Sequence, residues 1–134
     1  MNVREIMSAD VTCISPTDTV LSAAKLMRER DVGALPVCTE GELVGIVTDR
    51  DIAVRYVATG LGDDRVAAVM TPQVFTIAPD DPLERAEALM AQHQVRRLPV
   101  CEDGRLLGIL CQADLARHAS HEEVGTLVEA ISRT

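Results

Sequence analysis

Aromatic side chains are almost missing from this chain: 134 residues contain one Tyr, one Phe and no Trp. Its core must be aliphatic, and a nucleic-acid surface that works by base stacking has no platforms to use. Positive charge is in the minority, with a formal net charge of -8. Such a chain repels a polyanion on average, so neither nucleic acid nor an anionic membrane is an expected partner. A small anion can still bind where a few cations converge. No apolar run approaches the roughly 20 residues that span a bilayer. The start, Met1-Asn2-Val3-Arg4-Glu5, lacks the basic-then-apolar pattern of a signal peptide, and the expected location is cytoplasmic. The cysteines at 13, 38, 101 and 111 show no CxxC spacing, which argues against a zinc ribbon.

What the chain does have is a repeat. Residues 3–55 superpose on 66–118 with no gap, and 20 of the 53 positions are identical. Leu35-Pro36-Val37-Cys38, Gly41, Gly45-Ile46 and Asp51 return as Leu98-Pro99-Val100-Cys101, Gly104, Gly108-Ile109 and Asp114. A unit this short buries its own core poorly, so two copies are expected to pack together. The boundaries read as repeat 1 over 1–62, repeat 2 over 63–119 and a C-terminal segment over 120–134.

Val11 to Ile14 is β-branched and ends before Pro16, which predicts a strand. Asp18 and Asp81 are the expected caps of two helices, with Pro82 at the first helical position of the second. Val20, Ala23, Ala24 and Met27 follow the spacing of a one-sided helix, and Leu83, Ala86 and Met90 echo it. Leu35 to Cys38 and Glu42 to Val47 form a hairpin about Thr39-Glu40-Gly41. A second helix runs from Asp49 to a C-cap at Gly60. The order is β-α-β-β-α, with the first two strands parallel through a right-handed crossover. The fold class is therefore α+β, with mixed three-stranded sheets. Ser120 with Glu123, then Val124, Leu127, Val128 and Ile131, predicts an added C-terminal helix.

Gly45-Ile46-Val47-Thr48-Asp49-Arg50-Asp51 lies where a strand turns into a helix. It reads as a capping box, Thr48 at N-cap and Asp51 at N3. It reads equally as a ligand grip, since a carboxylate accepts from two ribose hydroxyls and a helix start favours an anion. In repeat 2, Gly108-Ile109-Leu110-Cys111-Gln112-Ala113-Asp114 puts a thiol where the hydroxyl should be. Asp114 remains a candidate, but Cys111 is a poor cap. Arg96 and Arg97 read as a solvated strand edge, with one of the two facing inward, and Arg50 as an exposed first-turn residue; a guanidinium also suits a phosphate by its fork geometry. His118, His121 and Glu122 form no complete metal set, and His93 reads as an exposed helix end. No catalytic constellation is found.

The doubled β-α-β-β-α unit, each with Gly-hydrophobic-x-Thr/Ser-x-x-Asp after a Leu-Pro-Val strand, resembles a pair of CBS (cystathionine-β-synthase) domains. The resemblance covers essentially the whole chain. It is nearest to short stand-alone pairs, including the actinobacterial hypoxic-response type. It implies a regulatory module, not an enzyme, that senses an adenosyl ligand such as AMP, ADP, ATP or S-adenosylmethionine in the cleft between repeats. Thr48 and Asp51 become ribose or phosphate contacts, and the departure at Cys111 puts the second site in question. No cofactor is expected beyond that ligand. The other reading is an interaction or structural protein, related to stress or hypoxia, that keeps the fold and has lost the ligand. The expected partners are a second copy of the chain, through helical stripes larger than one small sheet needs, and an unidentified effector protein. Cys13 and Cys38 end adjacent strands. In a reducing cytoplasm they read first as buried thiols, and the resemblance to the hypoxic-response type raises a disulfide as the alternative.

Overall fold

The computed structural model describes residues 1–72 and 74–119. The expected C-terminal helix, with His121 and Glu122, lies outside the described residues. A short 3-10 turn, Val3–Glu5, opens the chain. Helix α1 (Val20–Arg30), strands β1 (Ala34–Thr39) and β2 (Glu42–Thr48) and helix α2 follow. Helix α2 starts as an α-turn at Asp49–Asp51 and continues with π winding over Ile52–Val57. Then come α3 (Val66–Val69), α4 (Leu83–His93), β3 (Arg97–Glu102), β4 (Arg105–Cys111) and helix α5 over 112–119. Among the described residues, no helix is long and apolar enough to cross a membrane.

The helices form where the periodicity places them, but their caps move by one residue. Thr19, not Asp18, caps α1, its hydroxyl accepting from Ser22 N at 3.0 Å. Asp18 instead accepts from Ser15 N at 2.9 Å, and Asp81 from Ala78 N at 3.1 Å. Both carboxylates therefore close the turn before the helix, and Pro82 is the N-cap of α4. Helix α2 ends at Ala58 rather than Gly60, which takes φ 94° in the turn beyond. In both hairpins the two turn residues have positive φ: Glu40 and Gly41 at 53° and 84°, Asp103 and Gly104 at 52° and 81°. That is the twist-matched geometry of a two-residue hairpin.

The first strand of each repeat shrinks to a single parallel bridge, Ile14 with Val37 and Ile77 with Val100. The proline explains why. Ile14 N donates to Pro36 O at 3.0 Å, and Cys38 N donates to Ile14 O at 2.9 Å. The next rung of a parallel ladder needs an N–H at position 36, which proline lacks. Pro99 stops the second repeat in the same way, after Ile77 N bonds its carbonyl at 3.1 Å. The antiparallel hairpins carry most of the strand structure. The strand order is β1-β2-β4-β3, with β2 and β4 joined by one residue pair, Glu42 and Arg105.

Two compact units result, and they are not cut where the sequence repeats are. Met1–Ala9 joins Phe75–Val100 and the described residues from Leu107 on. Asp10–Val74 joins Cys101–Leu106. Each repeat thus lends its first turn to the body of the other. Val3, fully buried, packs with Ile77, Leu83, Ala86, Met90, Leu98 and Leu110. Val66, also fully buried, packs with Val20, Ala23, Met27, Leu35 and Val47. Burying one valine side chain contributes about 1.5–3 kcal/mol. The helical stripes expected to face a second copy are consumed here: Val20, Ala23, Met27, Leu83, Ala86 and Met90 are all core. The apolar side chains left exposed on α1, on α2 and just after α2 are Leu21, Val54, Val57 and Leu61.

The borrowed segments explain the motif glycines. Ile46 and Thr71 exchange bonds of 3.0 and 2.8 Å, and Ile109 and Ser8 exchange two of 2.9 Å. A Cβ on Gly45 would lie 2.8 Å from Thr71 O, and one on Gly108 would lie 2.6 Å from Ser8 O. Both meet backbone, which cannot swing aside. We expect Gly45→Ala to lower stability by about 1–3 kcal/mol, the scale of core overpacking. Gly62→Ala, where a Cβ meets nothing within 4 Å, should stay within about 0.5 kcal/mol of the parent. Urea denaturation of the three chains measures this, and equal midpoints would show that the close approach is not needed.

Candidate functional site

The strand-to-helix turn of repeat 1 forms because each partner satisfies the other's backbone. Thr48 is the N-cap of α2, and its Oγ1 accepts from Asp51 N at 3.0 Å. Asp51 Oδ2 accepts in return from Thr48 N at 3.0 Å. The capping box is therefore present, and it does not use up the chemistry. The Thr48 hydroxyl still has a proton to donate, and a carboxylate oxygen accepts more than one bond. The second oxygen, Oδ1, has Arg55 Nε at 3.9 Å, too long for a hydrogen bond. The Asp51 side chain is 14% exposed, which shields it from water without closing it off.

Arg55 is held elsewhere. Its Nη1 donates to Val69 O at 3.4 Å and to Met70 O at 3.3 Å, tying α2 to the end of α3. Arg50 is exposed beside the turn, with its backbone N on the Asp49 carboxylate at 2.8 Å. Asp49 N in turn donates to Gly33 O at 2.9 Å, which sets the end of the preceding loop against the helix start. The structure thus brings Thr48, Arg50 and Asp51 together at one turn.

Repeat 2 rebuilds the turn with different chemistry. Asp114 Oδ2 accepts from Cys111 N at 3.0 Å, half of the capping box. The other oxygen, Oδ1, is paired with Arg117 Nη2. Gln112 N donates to Arg96 O at 2.7 Å, the counterpart of the bond between Asp49 and Gly33. Arg96 is exposed and Arg97 half-buried at the start of β3. The Cys111 thiol is pushed up by burial and by the Asp114 charge, with Arg97 and Arg117 acting against that shift. Both guanidinium groups therefore lie within electrostatic reach of Cys111. Arg55 and Arg117 were not singled out from the sequence, although Asp51/Arg55 and Asp114/Arg117 have the i,i+4 and i,i+3 spacing that signals a helical ion pair.

The thiols divide unevenly. Cys13 is exposed and Cys38 buried, and the Cys38 thiol points at Cys13 Sγ at 3.1 Å. Burial, then the hydrogen bond and the charge of Cys13, push the Cys38 thiol up to about 12. All four cysteines are free here. Cys101 and Cys111 are half-buried. His93 is half-buried and stacks on Phe75, ring centroids 3.5 Å apart and planes 10° from parallel. Among the described residues, no group of three or more His, Cys, Asp or Glu could hold a metal ion.

The CBS domain family model matches residues 3–57 and 66–121. The CBS domain-containing protein YhcV of Bacillus subtilis is 42% identical over 133 residues, spanning 98% of this chain and 95% of that protein. Hypoxic response protein 1 of Mycobacterium tuberculosis is 38% identical over 131 residues, 96% of this chain and 92% of its own length. The crystal structure of Hypoxic Response Protein I, with two coordinated zinc ions, superposes with a TM-score of 0.81 over 88% of this chain and 98% of that one. CBSX2 in complex with AMP gives 0.80 at 29% identity, over 91% of this chain and 98% of its own.

A disulfide between Cys13 and Cys38 requires the sulfurs to close from 3.1 Å to about 2 Å. We expect oxidised glutathione to form it, and the loop it closes to add roughly 3 kcal/mol of stability. Intact mass and peptide mapping after denaturing alkylation read the bond. In the reduced native protein, Cys38 should alkylate far more slowly than Cys13 at mildly alkaline pH, because its thiol stays protonated. Two thiols that remain alkylatable after oxidation would exclude the bridge.

Proposed function

The chain belongs to the CBS domain family as a tandem, regulatory pair, and we propose that what it senses is an adenosyl ligand of the AMP, ADP or ATP class. The observation that carries this reading is the state of the repeat 1 turn. Thr48 and Asp51 satisfy the helix start and still offer a hydroxyl donor and a carboxylate oxygen not committed to the backbone. A ribose diol is a double donor, and a partly buried carboxylate is the acceptor that suits it. Arg50 in repeat 1, and Arg96 and Arg97 in repeat 2, are the cations available to a phosphate. The AMP complex of CBSX2 supports the ligand class. The protein acts by binding rather than by catalysis, in the cytoplasm, and passes the signal to a separate effector protein. The likeness to Hypoxic response protein 1 supports a role in stress.

A second reading keeps the fold as an interaction module without a ligand. Cys111 in place of a hydroxyl and the Asp114–Arg117 pair favour it for repeat 2 alone. Repeat 1 carries neither change.

Replacing Asp51 tests the site. We expect Asp51→Ala to weaken adenine-nucleotide binding ~10-fold or more, from the loss of charge-assisted bonds of roughly 1.5–3 kcal/mol. Asp51→Asn keeps an acceptor for Thr48 N, so its helix stays capped while the charge is gone, and it should show most of the same loss. Calorimetry on variants with native-like melting reads both. Unchanged affinity would remove Asp51 from the site, and no binding by the parent chain would favour the interaction module.

We also propose a homodimer. Leu21, Val54, Val57 and Leu61 are 62, 53, 59 and 58% exposed, apolar area that a second copy would remove from water. Light scattering at micromolar concentration should give about 29 kDa, the mass of two chains, since dimer interfaces of this kind persist on dilution. The mass of a single 14.5 kDa chain across a dilution series would rule this out.

A further inference from the structure

The two turns hold their carboxylates differently, and the difference bears on what each repeat accepts. In repeat 1 the nearby guanidinium, Arg55, is anchored on the carbonyls of Val69 and Met70 and stays 3.9 Å from Asp51 Oδ1. In repeat 2 the guanidinium of Arg117 sits on Asp114 Oδ1 itself. Arg117 is 70% exposed, and Asp114 is its one side-chain partner among the described residues. Position 117 corresponds to Val54 in the repeat, and Arg96 and Arg97 correspond to Gly33 and Ala34. Repeat 2 therefore gathers three arginines where repeat 1 has none at the matching positions. Against them, at the helix start, stands the single carboxylate of Asp114.

A ligand that pairs with Asp114 Oδ1 competes with Arg117 for it. The hydroxyls of a nucleoside offer that guanidinium only neutral acceptors in exchange for a charged one. A phosphate replaces it in kind, because its oxygens match the guanidinium fork and carry full charge. We propose that Arg117 is the specificity-determining residue of repeat 2: it occupies Asp114 in place of ligand and gives it up only to a ligand that brings a phosphate. Repeat 1, whose carboxylate oxygen is not so occupied, takes a nucleoside without that exchange. This inference rests on the adenosyl reading above and adds to it which repeat discriminates, and by what means.

The test is calorimetric titration of the full chain with adenosine and with AMP at low salt, in an Asp51→Asn background that silences repeat 1. AMP should bind this variant at least about 10-fold more tightly than adenosine, the scale of one charge-assisted contact. Adding Arg117→Gln should bring the two affinities within about 3-fold, by weakening AMP and by strengthening adenosine, now that Asp114 is released. A purely structural role for Arg117 would not improve adenosine binding. Arg117→Lys keeps the charge without the fork and should fall between. An AMP-to-adenosine ratio unchanged by Arg117→Gln would overturn the proposal, and so would loss of all binding in Asp51→Asn while the parent chain binds. Both results leave repeat 1 intact as a site. Failure of the parent chain to bind either compound would instead overturn the adenosyl reading, and this inference with it.

Discussion

Ile46 with Thr71, and Ile109 with Ser8, are the contacts on which the rest of this fold depends. Each is a two-way backbone exchange between a strand of one repeat and the opening segment of the other. They hold Val3 and Val66 in cores to which neither residue belongs by sequence. A half-domain of this size has little interior of its own, and an apolar turn taken from its twin adds to it. The close approach also dictates composition. Gly45 and Gly108 have no room for a Cβ, and these glycines open the segment that ends in the site.

The site is an extension of that same local structure. The crossing segment meets β2 at Ile46, the strand ends at Thr48 and the helix begins at Asp49, where the free N–H groups must be satisfied. Thr48 and Asp51 do this reciprocally. Thr48 Oγ1 and Asp51 Oδ2 cap the helix, and on the proposed reading the same two side chains would also meet a ligand, through the hydroxyl proton and Asp51 Oδ1. This is why Asp51→Ala and Asp51→Asn have to be compared: one removes the bond to Thr48 N and the charge, the other the charge alone. In repeat 2 the sharing breaks down. Without a hydroxyl at 111 the box is half-built, and the carboxylate takes a guanidinium as its second partner. A duplicated unit has in this way acquired two unlike ends.

The sequence determined the elements, because their causes are local. Two-residue turns with Gly at the second position, one-sided helical stripes and Leu-Pro-Val strands each follow from neighbours a few residues apart. The hairpins, the parallel sense of the first bridge and the pairing of Thr48 with Asp51 are legible in the repeated sequence itself. The first strand is shorter than the run from Val11 to Ile14 predicts, because Pro36 lacks the donor that a second rung requires. Cap positions were less legible: Asp18 and Thr19 are both good caps, and the turn at Ser15 competed for the aspartate.

Only the tertiary structure decided which residues meet across long separations. Nothing local tells Val3 to pack with Leu83, or Ser8 to pair with Ile109, because the partner of an exposed backbone edge is chosen by the packing of the whole unit. For the same reason the stripes on α1 and α4 read as surplus in the sequence and proved to be core, while Leu21, Val54 and Val57 were left outside. The charges follow the same division. Spacing alone allows Asp51 to pair with Arg55 as readily as Asp114 with Arg117. The carbonyls of Val69 and Met70, brought in by α3, draw Arg55 away from one carboxylate, and Arg117 stays on the other.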